Sequence, residues 1–354
     1  MTLALVIGTP GIAQEGPQLL IAPKIIGLDF GAGFTPFSLV PDLDTVTWLV
    51  AGAAWQGRGY YRNTDGSLFT GDPETASYDR LRFNWRLGLQ QQLAAPPDGS
   101  IAGLSAQLWY IGSWMSRFAD SGSTIESAPL PDAEASQINR LLAAISFDAV
   151  ESSADGLQNG GSVEVSAEYG PGFVNFVGGA DYLRLNLTTT AYVPVWTLYS
   201  NEQRLMSLTL AAFSSIDSAF GSSIPIEVRQ SFGGLSPRDG LGGAVRGIRG
   251  TRFGVANKLV ANVETRFDLP AIEIPGLGSI RPGILSFLDA GTYSDELTVP
   301  SPVAGSEVSI GTAVYVDVLR IATLAFYTSF WVTGDRLGDQ GQWNPFALGF
   351  GLHF

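Results

Sequence analysis

The stretch that decides the fold runs from Gln230 to Leu269: QSFGGLSPRDGLGGAVRGIRGTRFGVANKLVANVETRFDL. Its first half is rich in glycine and carries Val245-Arg246-Gly247. Its second half alternates. Leu259, Ala261, Val263, Thr265, Phe267 and Leu269 share one phase; Lys258, Asn262, Glu264, Arg266 and Asp268 share the other, with Val260 alone apolar among them. A period of two is that of a β-strand with unlike surroundings on its two faces. A soluble sandwich places the polar face in water, and a membrane barrel places it in the lumen.

Composition separates these two. The 354 residues carry 45% hydrophobic but only 15% charged side chains, against about 25% charged in a soluble average. The net charge of -13 argues against general nucleic-acid binding, which needs a basic footprint. There is no cysteine and a single histidine, His353, so thiolate, Ser-His and His-metal chemistry lack material. No enzyme activity, metal or cofactor is expected. No apolar run reaches the length of about 18 residues that a membrane helix needs. The start, MTLALVIGTPGIAQ, lacks a basic n-region and reads better as a first strand over 2–8 than as a leader.

The alternation recurs along the chain. Residues 45–61 set Val46, Trp48, Val50 and Ala54 against threonines and small residues. Over 78–93, Leu81, Phe83, Trp85, Leu87 and Leu89 oppose Arg80, Arg82, Asn84, Arg86 and Gln90. Similar runs cover 19–34, 101–118, 141–151, 161–170, 182–195, 204–213, 280–293, 308–318 and 321–333. The last run sets Phe346, Leu348, Phe350, Leu352 and Phe354 against Ala347, Gly349, Gly351 and His353. Short turns at 35–44, 94–100 and 152–160 alternate with long loops at 63–77, 119–139 and 216–256, the asymmetry of an outer-membrane barrel. Trp48, Trp55, Tyr60, Tyr61, Trp114, Tyr192, Trp196, Trp331 and Trp343 suit interfacial girdles. A soluble sandwich would leave too much apolar surface bare. The expectation is one all-β domain over 1–354, an antiparallel transmembrane barrel of about 14 strands, with 12 and 16 as alternatives. Residues 1–44 are first strands or leader.

Four blocks in order resemble one family. They are Phe232-Gly233-Gly234, Val245-Arg246-Gly247, Asn262 to Phe267, and Phe287-Leu288-Asp289-Ala290-Gly291. With Phe147-Asp148, Asn159-Gly160-Gly161, Tyr182-Leu183-Arg184 and Tyr192 to Val195, they are similar to the barrel of the outer-membrane assembly and translocation superfamily: BamA, TamA and the two-partner-secretion transporters, or bacterial surface antigen family. The similarity runs from about Leu141 to Phe354; Ile248 stands where an aromatic is usual, residues 1–140 match poorly, and no POTRA repeats are visible. The resemblance implies that the 216–256 loop folds into the lumen, with Arg246 paired to Glu264 and Asp289. It implies that Phe350, Leu352 and Phe354 belong to an insertion signal, so that a Ser at 354 would impair insertion more than the finished barrel. It also implies an outer membrane, bacterial or organellar.

The function implied is insertion or translocation of polypeptide through a weak seam between first and last strands, loosened by Gly349 and Gly351. The alternative is a diffusion pore or transporter without assembly activity. The partners implied are the lipid bilayer, client outer-membrane or secreted polypeptides, and a separate periplasmic protein. Arg80, Arg82 and Arg86 read either as a selectivity feature or as structural partners of Glu164, Glu168 or Asp148. Gly233-Gly234 and Gly242-Gly243 precede no helical run, so they are not phosphate loops.

Overall fold

The computed structural model describes residues 5–7, 18–24, 27–35, 37–40, 43–60, 77–94, 103–118, 135–153, 155–200, 203–236, 238–249, 252–274, 278–295, 304–318, 322–334, 340–350 and 352. The strands are β1 (Leu5–Ile7), β2 (Gln18–Lys24), β3 (Gly27–Phe34), β4 (Thr45–Tyr60), β5 (Ser77–Ala94), β6 (Gly103–Phe118), β7 (Ala135–Asp148), β8 (Glu151–Ser152), β9 (Gln158–Gly170), β10 (Asp181–Ser200), β11 (Gln203–Ser223), β12 (Ser231–Phe232), β13 (Arg238–Asp239), β14 (Asn257–Asp268), β15 (Ile272–Ile274), β16 (Gly278–Ser294), β17 (Ala304–Val318), β18 (Ala322–Trp331) and β19 (Trp343–Phe350). Seventeen of them form one antiparallel sheet, and β12 pairs with β13 apart from it. Fourteen strands are seven residues or longer. Each pairs with the next of the fourteen along the chain, from β2 to β19, and the short β1 pairs with β2. No register links β19 back to β1 or β2 among the described residues.

The sheet is inverted relative to a soluble one. On β10, Leu185 is 46% exposed while Arg184 beside it is 3% exposed. The same phase exposes Val163 and Val165, Ile284 and Leu288, and Ile310 and Val314, while Ser166, Glu168, Ser309 and Asp289 are buried. An apolar outer belt is stable only against lipid. The inner face closes on the segment from residue 224 to 256, which holds two short helices, Ile226–Arg229 and Leu241–Ala244. This segment touches Arg82 on β5 and Asp289 on β16. Seven strand steps separate β5 from β16, about 34 Å in a flat sheet at about 4.8 Å per step. One compact segment reaches both only because the sheet curves round it as a barrel wall.

Glycine has a repeated place in this wall. Gly88 stands opposite Trp109, Gly112 opposite Trp85, Gly170 opposite Tyr182 and Gly283 opposite Tyr315. In each pair the aromatic ring occupies the space that a glycine Cβ would need. The ring covers backbone that glycine leaves bare.

Several expectations need correction. Residues 19–34 hold the hairpin β2–β3, not one strand; no Asn-Gly or Asp-Gly pair marks the reversal. Residues 135–139 belong to β7, and 216–223 to β11. The small polar residues of 216–223 read as a loop, yet Asp217 and Ala219 face the interior while Ile216 and Phe220 face out. On β4 the phase is opposite to the one expected: Val50 and Ala54 are buried, and Leu49 and Trp55 are exposed. With apolar residues in both phases, hydrophobicity alone cannot orient that strand. Tyr192 and Trp331 are buried inside rather than sited in a girdle, whereas Trp55, Trp196 and Trp343 do face outward. Leu352 packs on the inner cluster of Leu285, Phe287, Ala313, Tyr315 and Ala325. It lies past the end of β19, where the two-residue period no longer governs direction. The side chain of Phe350 and all of His353 and Phe354 lie outside the described residues.

Candidate functional site

The site is built where the inward segment meets β14 and β16. Asn262 and Asp289 are partners across these strands, as are Glu264 and Phe287. Period two turns Asn262, Glu264 and Asp289 to the inner face, where each has no exposed surface. Arg246 lies between the acids. Its Nη1 donates to Glu264 Oε1 at 2.5 Å, its Nη2 to Asp289 Oδ1 at 2.7 Å and its Nε to Asp289 Oδ2 at 2.8 Å. The Arg246 backbone N–H also donates to Asp289 Oδ2 at 2.9 Å. This is the fork geometry of guanidinium on carboxylate. The guanidinium carbon sits 3.6 Å from the centroid of the Phe287 ring, close enough for a cation–π contact.

One residue of this site escapes sequence reading. Arg266 donates from Nε to Glu264 Oε2 at 2.7 Å. Two guanidiniums therefore face two carboxylates, and the cluster is neutral. The alternation already placed Arg266 inward, two residues from Glu264; that spacing was the available signal.

Glycines let the segment approach. Gly247 has φ of +89°, and a Cβ there would lie 2.6 Å from Ser329 Oγ. Gly234 has φ of +105°, and its Cβ would meet Glu164 Oε1 at 2.7 Å. Gly233 offers its N–H to Asp217 Oδ1 at 2.9 Å. Val245 is buried in an apolar cluster with Leu241, Ile248, Phe253 and Val255 of the segment and Phe213, Val260, Tyr293 and Trp331 of the wall. Ile248 thus fills a core position. Phe213, Val260, Tyr293 and Trp331 form an apolar seat inside an otherwise polar wall, which explains Val260 as the one apolar residue in its phase.

A further cluster has no counterpart in the sequence motifs. Asp217 accepts from Arg184 Nε at 2.9 Å and pairs with Lys258 Nζ at 3.0 Å, all three buried. Lys258 also donates to the carbonyls of Val228 and Val255, and Arg184 to the Ser231 carbonyl. The two ends of the segment are thereby fixed to β10, β11 and β14.

The arginines of β5 have different partners from those expected. Arg82 pairs with Glu227 of the inward helix at 2.8 Å, not with Glu164, Glu168 or Asp148. Glu164 instead accepts the Leu235 N–H at 2.7 Å, and Glu168 pairs with Arg140 at 3.4 Å and accepts from Tyr182. The segment takes contacts that strand pairing alone would assign within the wall. Arg80 and Arg86 lie on the same β5 phase as Arg82, and among the described residues neither forms an ion pair. Among the described residues no cluster of potential metal ligands occurs.

No family model and no curated protein matches the chain. Among solved structures it is similar to the crystal structure of BamA from Haemophilus ducreyi lacking POTRA domains 1–3, with a TM-score of 0.55 and 14% sequence identity, over 95% of this chain and 65% of that one. The likeness shows a shared β-barrel fold, and the chain spans about 65% of that structure's chain. The class is therefore an antiparallel β-barrel with an apolar outer face and an occupied interior.

Proposed function

We propose that the chain is an outer-membrane barrel that inserts or translocates polypeptide, working at the junction of its end strands rather than through an open channel. The observation that carries this reading is the anchored interior segment. A diffusion pore needs a free path, whereas here residues 224–256 hold an apolar cluster and buried ion pairs against the wall. The end of the sheet supports the same reading. Among the described residues β18 and β19 span 10 and 8, against 16 to 21 for β4, β5, β6, β10 and β11. Their pairing is interrupted between Tyr327 and Ser329, beside Pro345, which has no N–H to give. Exposed Trp343, Phe346 and Leu348 make this edge apolar as well as weak. Such an edge can accept a client strand by main-chain pairing.

The test is reconstitution of the chain in liposomes with an unfolded outer-membrane protein as client, alongside planar-bilayer recording. Faster client folding with little steady conductance is expected. Steady conductance without any effect on client folding would replace this reading with the diffusion pore.

A further inference from the structure

We propose that Glu227 is a second positioning residue and that the interior segment is a cross-brace tying the β5–β7 wall to the β14–β16 wall. The inference rests on the reading of the segment as an anchored occupant of the barrel. The two ends of the brace have opposite charge logic. At one end the segment contributes the cation: Arg246 enters a pair of wall acids, Glu264 and Asp289. At the other it contributes the anion: Glu227 enters a group of wall bases.

The second end is as specific as the first. Glu227 is the second residue of the short helix Ile226–Arg229, whose Val228 is buried against Ile138, Tyr182 and Ala219. That packing aims the carboxylate at β5 and β7. Its Oε1 lies 2.8 Å from Arg82 Nη2 and 3.6 Å from Arg140 Nη1. Arg80 and Arg117 are direct partners across β5 and β6 and share the inward face of Arg82. Like charges directly opposite each other on a sheet repel. Within this group Arg140 is further shared with Glu168. Strand pairing thus sets several guanidiniums on one inner patch, and Glu227 brings to Arg82 and Arg140 an acid from outside the wall. The patch that reads in sequence as a selectivity feature is the socket of the brace.

Charge complementarity of opposite sign at the two ends fixes the segment's direction. Reversing it would place Glu227 on Glu264 and Asp289, and Arg246 on the arginines. Like-charge contact of this kind is strongly disfavoured in a water-poor interior.

The test uses the purified full chain in planar bilayers with Glu227→Gln, Arg246→Ala and the double variant, each first checked for the heat-modifiable gel mobility of a folded barrel. Glu227→Gln keeps shape and removes charge. Its expected effect is a several-fold rise in conductance events with reversal potentials showing anion preference, because the released arginines line the opened path. Glu227→Asp should restore part of the wild-type quiescence. The double variant should stay open longer than either single variant. Glu227→Gln indistinguishable from wild type, with the double variant matching Arg246→Ala alone, would overturn the proposal. If Glu227→Gln fails to fold, Arg82→Gln is recorded instead with the same two outcomes. Failure of the assembly reading is seen separately, as steady conductance of the unmodified chain.

Discussion

At the scale of single residues, Arg246 and Gly247 carry the most testable chemistry. Arg246→Ala leaves Asp289 buried without a cation, while Arg266 still serves Glu264. Removing one partner of a buried pair costs about 3–5 kcal/mol where the site is dry, and the shared Arg266 places this case at or below the lower end. Lys at 246 should recover only part, since it lacks the fork. Urea unfolding in micelles reads both; equal stability of the Ala variant and wild type would show the pair to be idle. Gly247→Ala must hold φ of +89° and press a Cβ to 2.6 Å from Ser329 Oγ, a strain of about 1–3 kcal/mol. Gly254→Ala is the matched control, because its Cβ would meet only Gln230 Cγ at 3.9 Å. Similar losses for the two would show that conformation and close approach at 247 are not what require glycine.

At the scale of strands, the outward phase of β10 predicts what lipid will not accept. Leu185→Arg on the outward face of β10 should cost up to about 2–4 kcal/mol, the midplane value for a cation facing lipid. Asn186→Arg is not a fair inner-face comparison, because Asn186 is buried and donates to Ser215 and Asp217. Thr190, half-buried in the same inward phase, is the better position, and Thr190→Arg should be far milder than Leu185→Arg in the same unfolding assay. Equal losses would contradict the assigned faces. The last strand has a different logic from the one its sequence suggests. Gly349 does not merely loosen β19: a Cβ there would lie 2.7 Å from Tyr327 Cε2. Gly349→Val should therefore displace the Tyr327 ring as well as perturb the edge, read as a change in tyrosine fluorescence together with lower stability. An unchanged Tyr327 signal would show that the ring does not depend on the glycine.

At the scale of the whole molecule, the cross-brace gives a pH response with a definite sign. Burial alone would raise the Glu227 carboxyl, but Arg82, Arg140, Arg80 and Arg117 outweigh it and hold it at about 2, below its ordinary 4.5. A depressed carboxyl contributes stability that is fully present above the ordinary value and lost as pH falls through the folded one. The interior segment should therefore stay anchored at its β5–β7 end from neutral pH down to about 4.5 and release only as pH approaches about 2. Conductance recorded during acid titration checks this; release between pH 7 and 5 would mean that another group holds that end.

The alternation of single strands was enough to read an inverted β-sheet with lipid outside, because period two is a local property and each phase needs only its own composition. It also placed Glu264, Arg266 and Asp289 inward, and the four motif blocks suggested Arg246 as their partner. It could not orient β4, where Val50 and Leu49 are both apolar, nor find the hairpin within 19–34, where no Asn-Gly or Asp-Gly pair marks the turn. Nor could it give Arg82 to Glu227, or Asp217 to Arg184 and Lys258. Arg82 and Glu227 are far apart in the chain, and their meeting depends on how the sheet curves and where the 224–256 segment comes to rest inside it. Asp217 faces Lys258 directly across β11 and β14, with Arg184 diagonal to it on β10, so those pairs follow from a register that is visible only once 216–223 is known to be strand. Periodicity thus assigns the polar face of every strand whose two phases differ in composition, whereas the meeting of Arg82 with Glu227 waits on the folded barrel, because contact across an enclosed interior is set by curvature and packing.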